Sequence, residues 1–585
     1  MAFIVNTVTL DNFASALSPW APDLPNHLYA LVDMGSNGIR FSISDLSPPT
    51  ARLLKSLYRE RVAISLFDAL NESPSVGSPA FSQEVITNVS RAVARFRSIA
   101  DDFGVPPEHV SVFATEAMRK ASNAVSMLSA IHNESGLSAC VLAPEVETLF
   151  GAMGARSGFA AVNGLFLDLG GGSVQMTYMN SAIRSYEIQA ARTGKSLPFG
   201  AARLNSILET DTEEVRDAAL DELHVGMRSA FSRLQQEFPL LRDTQLEPSG
   251  SGIDIYLCGG GFRGYGSILM HHDPVQPYPI PAVGAYTVSG TFFKQTATMR
   301  ETNAEYEGKI FRMSKRRRKQ FPAIASVVEA LIAAVPRIRT VTFCGGGNRE
   351  GALLLKLPED VREAMPLPLF GHDSNAKAIA LDSVINMIQS ALPSGTDHSN
   401  IPTVLTLGLG PLFASEIWSR SGESDEANSS FQLHWSLERD PSLPGFTHLA
   451  RAVLGLTLCF RWGAVLGPID EQLFEQLQKI VRQVSPEAVL WAEYIGKTAR
   501  LLSRLCPRAP ENRERLERTV KYNAELIESK NKTKLQLTVT LSAAMYRLVD
   551  HQEIANLLKD IGKQPNGAQQ PWSRVQVFVQ MMQSQ

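Results

Sequence analysis

Two short stretches with a common pattern constrain this chain more than anything else in it: Asp33-Met34-Gly35-Ser36-Asn37 and Asp168-Leu169-Gly170-Gly171-Gly172-Ser173. Each follows an apolar run, Tyr29-Ala30-Leu31-Val32 in the first case and Leu165-Phe166-Leu167 in the second. Each precedes another strand-like stretch, so each reads as a β-hairpin tip and not as the strand-to-helix turn of a dinucleotide fold. Gly and Ser at such a tip bring bare N–H groups and hydroxyls against phosphate oxygens. An Asp at its start holds a divalent cation through water, because Mg2+ gives up its shell reluctantly. Two such tips facing one another make a phosphate clamp. Asp33 and Asp168 would hold Mg2+, and Gly35, Ser36, Asn37, Gly170, Gly171, Gly172 and Ser173 would face the phosphates.

Composition narrows the remaining classes. A net charge of −3 over 585 residues gives no general attraction to nucleic acid or an anionic membrane. The five cysteines are scattered, without metal-ligand spacing, which argues against a disulfide framework or zinc site and for a reducing compartment. Met1–Leu10 lacks the basic start and apolar core of a secretory signal. The apolar stretch Leu449–Leu466 is interrupted by Arg451 and Arg461 and reads as a buried helix, not a membrane span. A soluble cytoplasmic protein is expected, with no membrane and no direct nucleic-acid partner.

Residues 1–25 show no clear periodicity and read as an N-terminal extension. Helical spacing covers 81–102 and 122–133, while 110–114 alternates like a strand. A strand at 139–142, a helix from about Glu145 and a hairpin at 163–179 follow. Thr210 and Glu213 read as a capping box opening a helix that runs to about Phe238. Strands at 253–257 and 338–343 each enter a Cys-Gly-Gly-Gly, at Cys258 and Cys344, so a strand–glycine–helix unit occurs twice. Gly259, Gly260, Gly261, Gly346 and Gly347 thereby join the expected ligand-facing backbone. Polar stretches at 393–400 and 420–431 read as linkers. Beyond them Leu473, Leu477 and Ile480 share one helix face, Leu501, Leu502 and Leu505 another, and Leu535–Leu541 alternates as one strand.

Six stretches, taken in order, resemble the Ppx/GppA family of exopolyphosphatases and guanosine pentaphosphate phosphatases. They are the Asp33–Asn37 loop; Ala114-Thr115-Glu116-Ala117-Met118-Arg119; Glu147 with Gly154; Asp168–Ser173; Ser196–Leu204; and Gly346-Gly347-Asn348-Arg349-Glu350-Gly351. Within that family, Pro144–Arg156 and the two Cys-Gly-Gly-Gly spellings are most similar to the fungal retrograde-regulation branch. The resemblance implies an α/β fold of two lobes, 26–142 and 143–395, of the actin-like ATPase and sugar-kinase (ribonuclease H-like) type. A mainly helical regulatory domain would occupy 396–585.

The resemblance also implies Glu147 as the carboxylate that orients and deprotonates an attacking water, and Arg119 as a guanidinium gripping phosphate. The family usually shows two acids at the first position. Here Val146 precedes Glu147, and the lost neighbouring charge is expected to lower the pKa of Glu147 relative to its relatives. Gly259-Gly260-Gly261 replaces the usual Ser-Gly-Thr of bacterial relatives, altering the donors and leaving room for a base and ribose. Two functions follow. One is a nucleotide-binding, ATP-dependent regulator of mitochondria-to-nucleus signalling with a regulatory protein partner. The other is a Mg2+-dependent exopolyphosphatase or guanosine pentaphosphate phosphohydrolase. The ligand would be ATP, guanosine tetra- or pentaphosphate, or polyphosphate, and a homodimer stays open.

Arg349-Glu350 reads as an internal ion pair fixing its loop. The basic run Lys315–Lys319 suits a nuclear-import signal, a polyphosphate track or a solvated face; among the functional readings the cleft is preferred, because bacterial relatives carry basic residues just before this helix. Gly194-Lys195-Ser196 fails as a P-loop, since Gln189 stands where the first Gly is required. His372-Asp373 fails as a metal site, since its other ligands have no match in 400–585.

Overall fold

Tyr29, Ala30, Leu31 and Val32 are all fully buried, so the first apolar run forms a central strand covered on both faces. The computed structural model describes residues 6–71, 78–246, 252–370, 375–394, 399–438, 443–529, 532–559, 561 and 572–583. It divides into two units: Met1–His272 with Ala282–Ala364 and Pro441–Pro444, and Asp273–Pro281 with Met365–Asp440 and Gly445–Gln585.

The first unit holds two six-stranded sheets. The first comprises β1 (Thr7–Val8), β2 (Leu28–Gly35), β3 (Gly38–Asp45), β4 (Lys55–Val62), β5 (Val110–Ala114) and β6 (Ala139–Leu142), in spatial order β1-β6-β5-β2-β3-β4. The second comprises β7 (Asn163–Leu169), β8 (Val174–Asn180), β9 (Lys195–Leu197), β10 (Ile253–Cys258), β11 (Tyr286–Ser289) and β12 (Ile338–Phe343), in order β11-β12-β10-β7-β8-β9. Each is an antiparallel meander whose first strand is flanked on its other side by parallel strands. β2 and β7 are equivalent, as are β5 and β10, and β6 and β12. This duplicated α/β plan is the expected actin-like fold.

Both hairpins form as read. Gly35 pairs with Gly38 across a two-residue turn, and Leu169 pairs with Val174. The helix Gln83–Asp102 is capped by Ser82, whose hydroxyl accepts from the Val85 amide at 3.3 Å, and buries Ile86, Val89, Val93 and Phe96 on one face. Arg349 and Glu350 pair at 3.8 Å, while Glu350 also accepts the Gly347 amide at 3.0 Å, the structural role expected. Gly194-Lys195-Ser196 closes one helix and starts β9, far from any phosphate-loop geometry.

Other readings change. The capping box is displaced: Thr210 ends the helix Ala201–Thr210, its hydroxyl donating to the Ser206 carbonyl, and the next helix, Glu213–Glu237, takes Thr212 as its cap residue. The N-terminal residues are part of a sheet, since β1 runs parallel to β6 and Val8 is buried. The pattern was unreadable because only two residues pair.

The second unit is mainly helical, with a sheet of β13 (Val520–Ser529), β14 (Lys532–Leu541) and β15 (Val575–Met581) in that order. The alternation of 535–541 marks its central strand. The helix Asn375–Gln389, expected in the second lobe, packs within this unit and buries Val384 and Ile388. Residues 425–431, expected as linker, open the helix Asp425–Glu438, in which Asn428 and Ser429 are fully buried. Asn428 exchanges two hydrogen bonds of 3.0 Å with Arg420, satisfying polar groups that composition alone assigns to solvent. Arg451 and Arg461 are buried in the helix His448–Arg461, where they donate to the carbonyls of Phe446 and Ile417. Among the described residues no helix is long and apolar enough to cross a membrane. His372, Asp373 and Gly395 lie outside the described residues.

Candidate functional site

A cavity of about 790 Å3 opens where the two sheets of the first unit bring their loops together. Asp33 lies near the end of β2 and Asp168 near the end of β7, both on the cavity wall. The tips meet each other directly: a side-chain carbon on Gly171 would lie 2.6 Å from Asn37 Nδ2. Behind the second tip, the first amides of the helix Ala201–Thr210 donate to the carbonyls of Gly170 and Gly171 at 2.9 to 3.0 Å. Those helix-terminal donors would otherwise lack partners, and they hold the tip from behind.

The glycine loops supply two helix starts. The helix Gly259–His271 begins directly at the end of β10. Gly259 has φ +88°, and a Cβ there would stand 2.3 Å from Asp168 Oδ1, so only glycine fits. A Cβ on Gly260 would meet nothing within 4 Å. Gly346, by contrast, is demanded by packing: its Cβ would fall 1.9 Å from the Gly154 carbonyl oxygen.

Burial dominates the electrostatics. Asp33 Oδ1 is buried with no hydrogen-bond partner. Burial raises the pKa of Asp33 against the pull of Arg40 and Arg349 and a hydrogen bond from Asn348. Burial likewise raises that of Asp168, opposed by Arg263 and Arg40 and reinforced by Asp33. Two carboxylates that burial holds above their ordinary range, Asp33 with an orphaned oxygen and Asp168 raised further by Asp33, form a donor set suited to a hard divalent cation. Among the described residues no three His, Cys, Asp or Glu side chains converge as a direct metal cage.

Glu147 sits in the first turn of the helix Pro144–Arg156 and lines the cavity. Burial pushes its pKa up to about 7, opposed by Arg119 and reinforced by Asp33 and Glu116. The rise comes from desolvation, with Asp33 and Glu116, and not Val146, as the neighbours that bear on its charge. Arg119 donates to Glu147 Oε2 at 2.8 Å and to the Leu142 carbonyl at 2.5 Å. It is not among the residues on the cavity wall, and the contact its guanidinium makes is with the carboxylate, which it orients.

Every other site residue read from the sequence lines the cavity: Gly35, Ser36, Asn37, Gly170, Gly171, Gly172, Ser173, Gly259, Gly260, Gly261, Gly346 and Gly347 with the three carboxylates. Sequence reasoning missed most of the basic wall. Arg40, Arg61, Arg263, Lys309 and Arg312 join Lys315, Arg316 and Arg317 around the cavity, facing Asp33, Glu116, Glu147 and Asp168. Burial and the neighbouring Arg40 and Arg317 lower the pKa of Arg263 to about 10. The helix Lys315–Ala334 opens with Lys315-Arg316-Arg317-Arg318 and no acid in its first turn, against its own dipole. Only part of the basic run faces inward, since Arg318 donates to the Tyr306 carbonyl and Lys319 pairs with Glu209. One available signal was register: Arg40 lies directly opposite Asp33 in the hairpin.

A sequence profile of the Ppx/GppA phosphatase family matches residues 48–360, a span that includes Glu147, Asp168 and both glycine loops. The chain belongs to the Ppx/GppA phosphatase family. A profile of the RTG2 C-terminal domain matches residues 368–583. Retrograde regulation protein 2 of Saccharomyces cerevisiae is 30% identical over 482 residues, covering 80% of this chain and 79% of its own. Exopolyphosphatase 1 of Mycobacterium leprae is 26% identical over 351 residues, covering 56% of this chain and 89% of its own. A crystal structure of the Aquifex aeolicus Ppx/GppA member is 20% identical and covers 56% of this chain and 97% of its own, with a TM-score of 0.42.

Proposed function

We propose that this protein is a Ppx/GppA-type regulator of retrograde signalling that binds a polyphosphorylated ligand, ATP foremost, with Mg2+ in the cavity of its first unit. The observation that carries this reading is the division of the cavity: paired buried carboxylates, Asp33 and Asp168, against eight basic side chains at Arg40, Arg61, Arg263, Lys309, Arg312, Lys315, Arg316 and Arg317. One terminal phosphate does not need so many cations; a chain of phosphoryl groups does. Similarity to the yeast retrograde regulation protein across both units supports the regulatory part.

Asp33 and Asp168 would hold the hydrated Mg2+, which when bound neutralises phosphoryl charge. The hairpin amides and hydroxyls of Ser36 and Ser173 position the terminal group. Cytoplasmic location and a protein partner belong to the same proposal.

A second reading, phosphoanhydride hydrolysis, is favoured by Glu147. A carboxylate titrating at about 7, oriented by Arg119 and open to the cavity, suits a general base for water. Calorimetry of ATP, guanosine tetraphosphate and tripolyphosphate, with and without Mg2+ and with phosphate release recorded, tests both. Mg2+-dependent binding without release is expected of the regulator, release abolished in Glu147→Gln is expected of the enzyme, and absence of binding by all three removes both.

A further inference from the structure

Arg316 differs from its neighbours in the basic run by reaching across the cavity. It stands on the helix Lys315–Ala334, in the lobe of the second sheet. Its Nη2 donates to Asn37 Oδ1 at 3.1 Å, Ser65 Oγ at 3.3 Å and Asp68 Oδ2 at 3.0 Å, all in the lobe of the first sheet. Arg317, by comparison, donates to the Arg312 carbonyl within its own lobe. The receiving groups are already one unit, because Ser65 Oγ and the Phe67 amide both donate to the Ser36 carbonyl, at 3.2 and 3.0 Å. Arg61 holds the Asn37 carbonyl from the other side at 2.9 Å.

We infer that Arg316 and Asp68 form a latch that holds the two lobes closed over the cavity and is set by the ligand. Three features fit this role. Arg316 engages Asn37 through the amide oxygen, and the same side chain stands directly against Gly171 of the opposite tip. The latch therefore holds the residue through which the two tips meet. Asp68 does not line the cavity, so it serves closure alone. The Arg316 and Asp68 side chains are 45% and 40% exposed, and an ion pair so open to water is weak by itself. A weak latch leaves the lobes free to part without ligand, while phosphates that need both tips shift the balance toward closure.

The inference rests on the polyphosphate reading above, and the test separates the two. Spin labels at exposed Glu84 and Asp221, in a background with Cys140 and Cys506 replaced by serine, report the distance between lobes in ligand-free protein. Stopped-flow release of Mg2+–tripolyphosphate reports the ligand. Asp68→Ala and Arg316→Ala should each populate longer distances, and Asp68→Ala should raise the release rate about 2- to 5-fold, the scale expected for one exposed pair. Adding Arg316→Ala to Asp68→Ala should lengthen the distances no further. Lys315→Ala, which removes a cavity charge without a cross-lobe contact, should weaken binding and leave the distances unchanged. A wild-type distance distribution in Asp68→Ala, or a wild-type release rate despite longer distances, overturns the latch. Failure of the wild-type protein to bind tripolyphosphate, ATP or guanosine tetraphosphate overturns the ligand reading instead, and the distances still decide the latch.

Discussion

The two sheets of the first unit share one topology in five of their six strands, yet they offer a ligand opposite kinds of surface. On the first sheet, β5 runs into Thr115-Glu116 and β6 is followed by the helix bearing Glu147, so strand ends present carboxylates backed by Arg119. At the equivalent ends of the second sheet, β10 runs into Gly259-Gly260-Gly261 and β12 into Gly345-Gly346-Gly347, so strand ends present bare backbone and helix starts. Each sheet contributes one central aspartate. The repeated strand plan thus accounts for the symmetric part, a pair of carboxylates at matching strand ends, and the loops account for the difference, further carboxylates on one side and bare amides on the other. Substitution should cost chemistry on the first side and geometry on the second.

The sharpest break of that contrast is Gly259→Ala. Positive φ and a Cβ 2.3 Å from Asp168 Oδ1 and 2.4 Å from the Leu169 carbonyl oxygen force the backbone to move. A loss of about 3 kcal/mol in urea unfolding is expected, with Mg2+–ATP binding abolished. Unchanged stability would mean that the second lobe is not built around bare backbone there.

Asp168→Asn should act in the other manner. Mg2+-dependent ATP affinity measured by calorimetry is expected to fall about 100-fold, or about 2.7 kcal/mol, while unfolding stability at pH 7 holds or rises. Because the folded carboxylate titrates above its unfolded value, its charge opposes folding at neutral pH. That opposition fades as pH falls below the folded pKa. A marked loss of stability in the variant would show the carboxylate to be structural.

Glu147→Gln sharpens the acid side. The folded pKa is raised from 4.5 to about 7, so the ionised group costs stability above pH 7, and the cost disappears as pH falls to 4.5. The variant should therefore be more stable than wild type at pH 8, by at most about 3 kcal/mol, and equal to it below pH 4.5. Equal stability at both ends would mean that Arg119 fully offsets the burial. The smallest effect belongs to Gly260→Ala, whose new methyl meets only open cavity; thermal unfolding should move by less than about 0.5 kcal/mol. A larger change there would extend the geometric constraint from one glycine to the whole loop.

The hairpin tips, the paired aspartates and the strand–glycine–helix units were legible because each is a local pattern: an apolar run, a turn composition and a register set by neighbours in sequence. The basic wall was only half legible. Lys315–Arg317 could be seen as a run, but Arg61 and Arg263 sit singly among unremarkable neighbours and gain meaning only from the cavity they share. The linker reading of 425–431 failed for a similar reason, because Asn428 and Ser429 are polar residues that packing against other helices buries completely. The strands Val520–Ser529 and Val575–Met581 were missed beside the more regular Leu535–Leu541, since pairing with that strand gives them their place.

By itself the sequence determined where the two hairpins turn and which two carboxylates stand at matching strand ends, since these depend on backbone preference and apolar periodicity over a few residues. Tertiary structure alone decided that Arg119 pairs with Glu147, and that Arg316 crosses to Asp68. It also decided that burial pushes the Glu147 pKa up to about 7. Those outcomes depend on distance and desolvation between segments far apart in the chain. Charge energies set by burial and by partners at about 3 Å have no counterpart in local sequence.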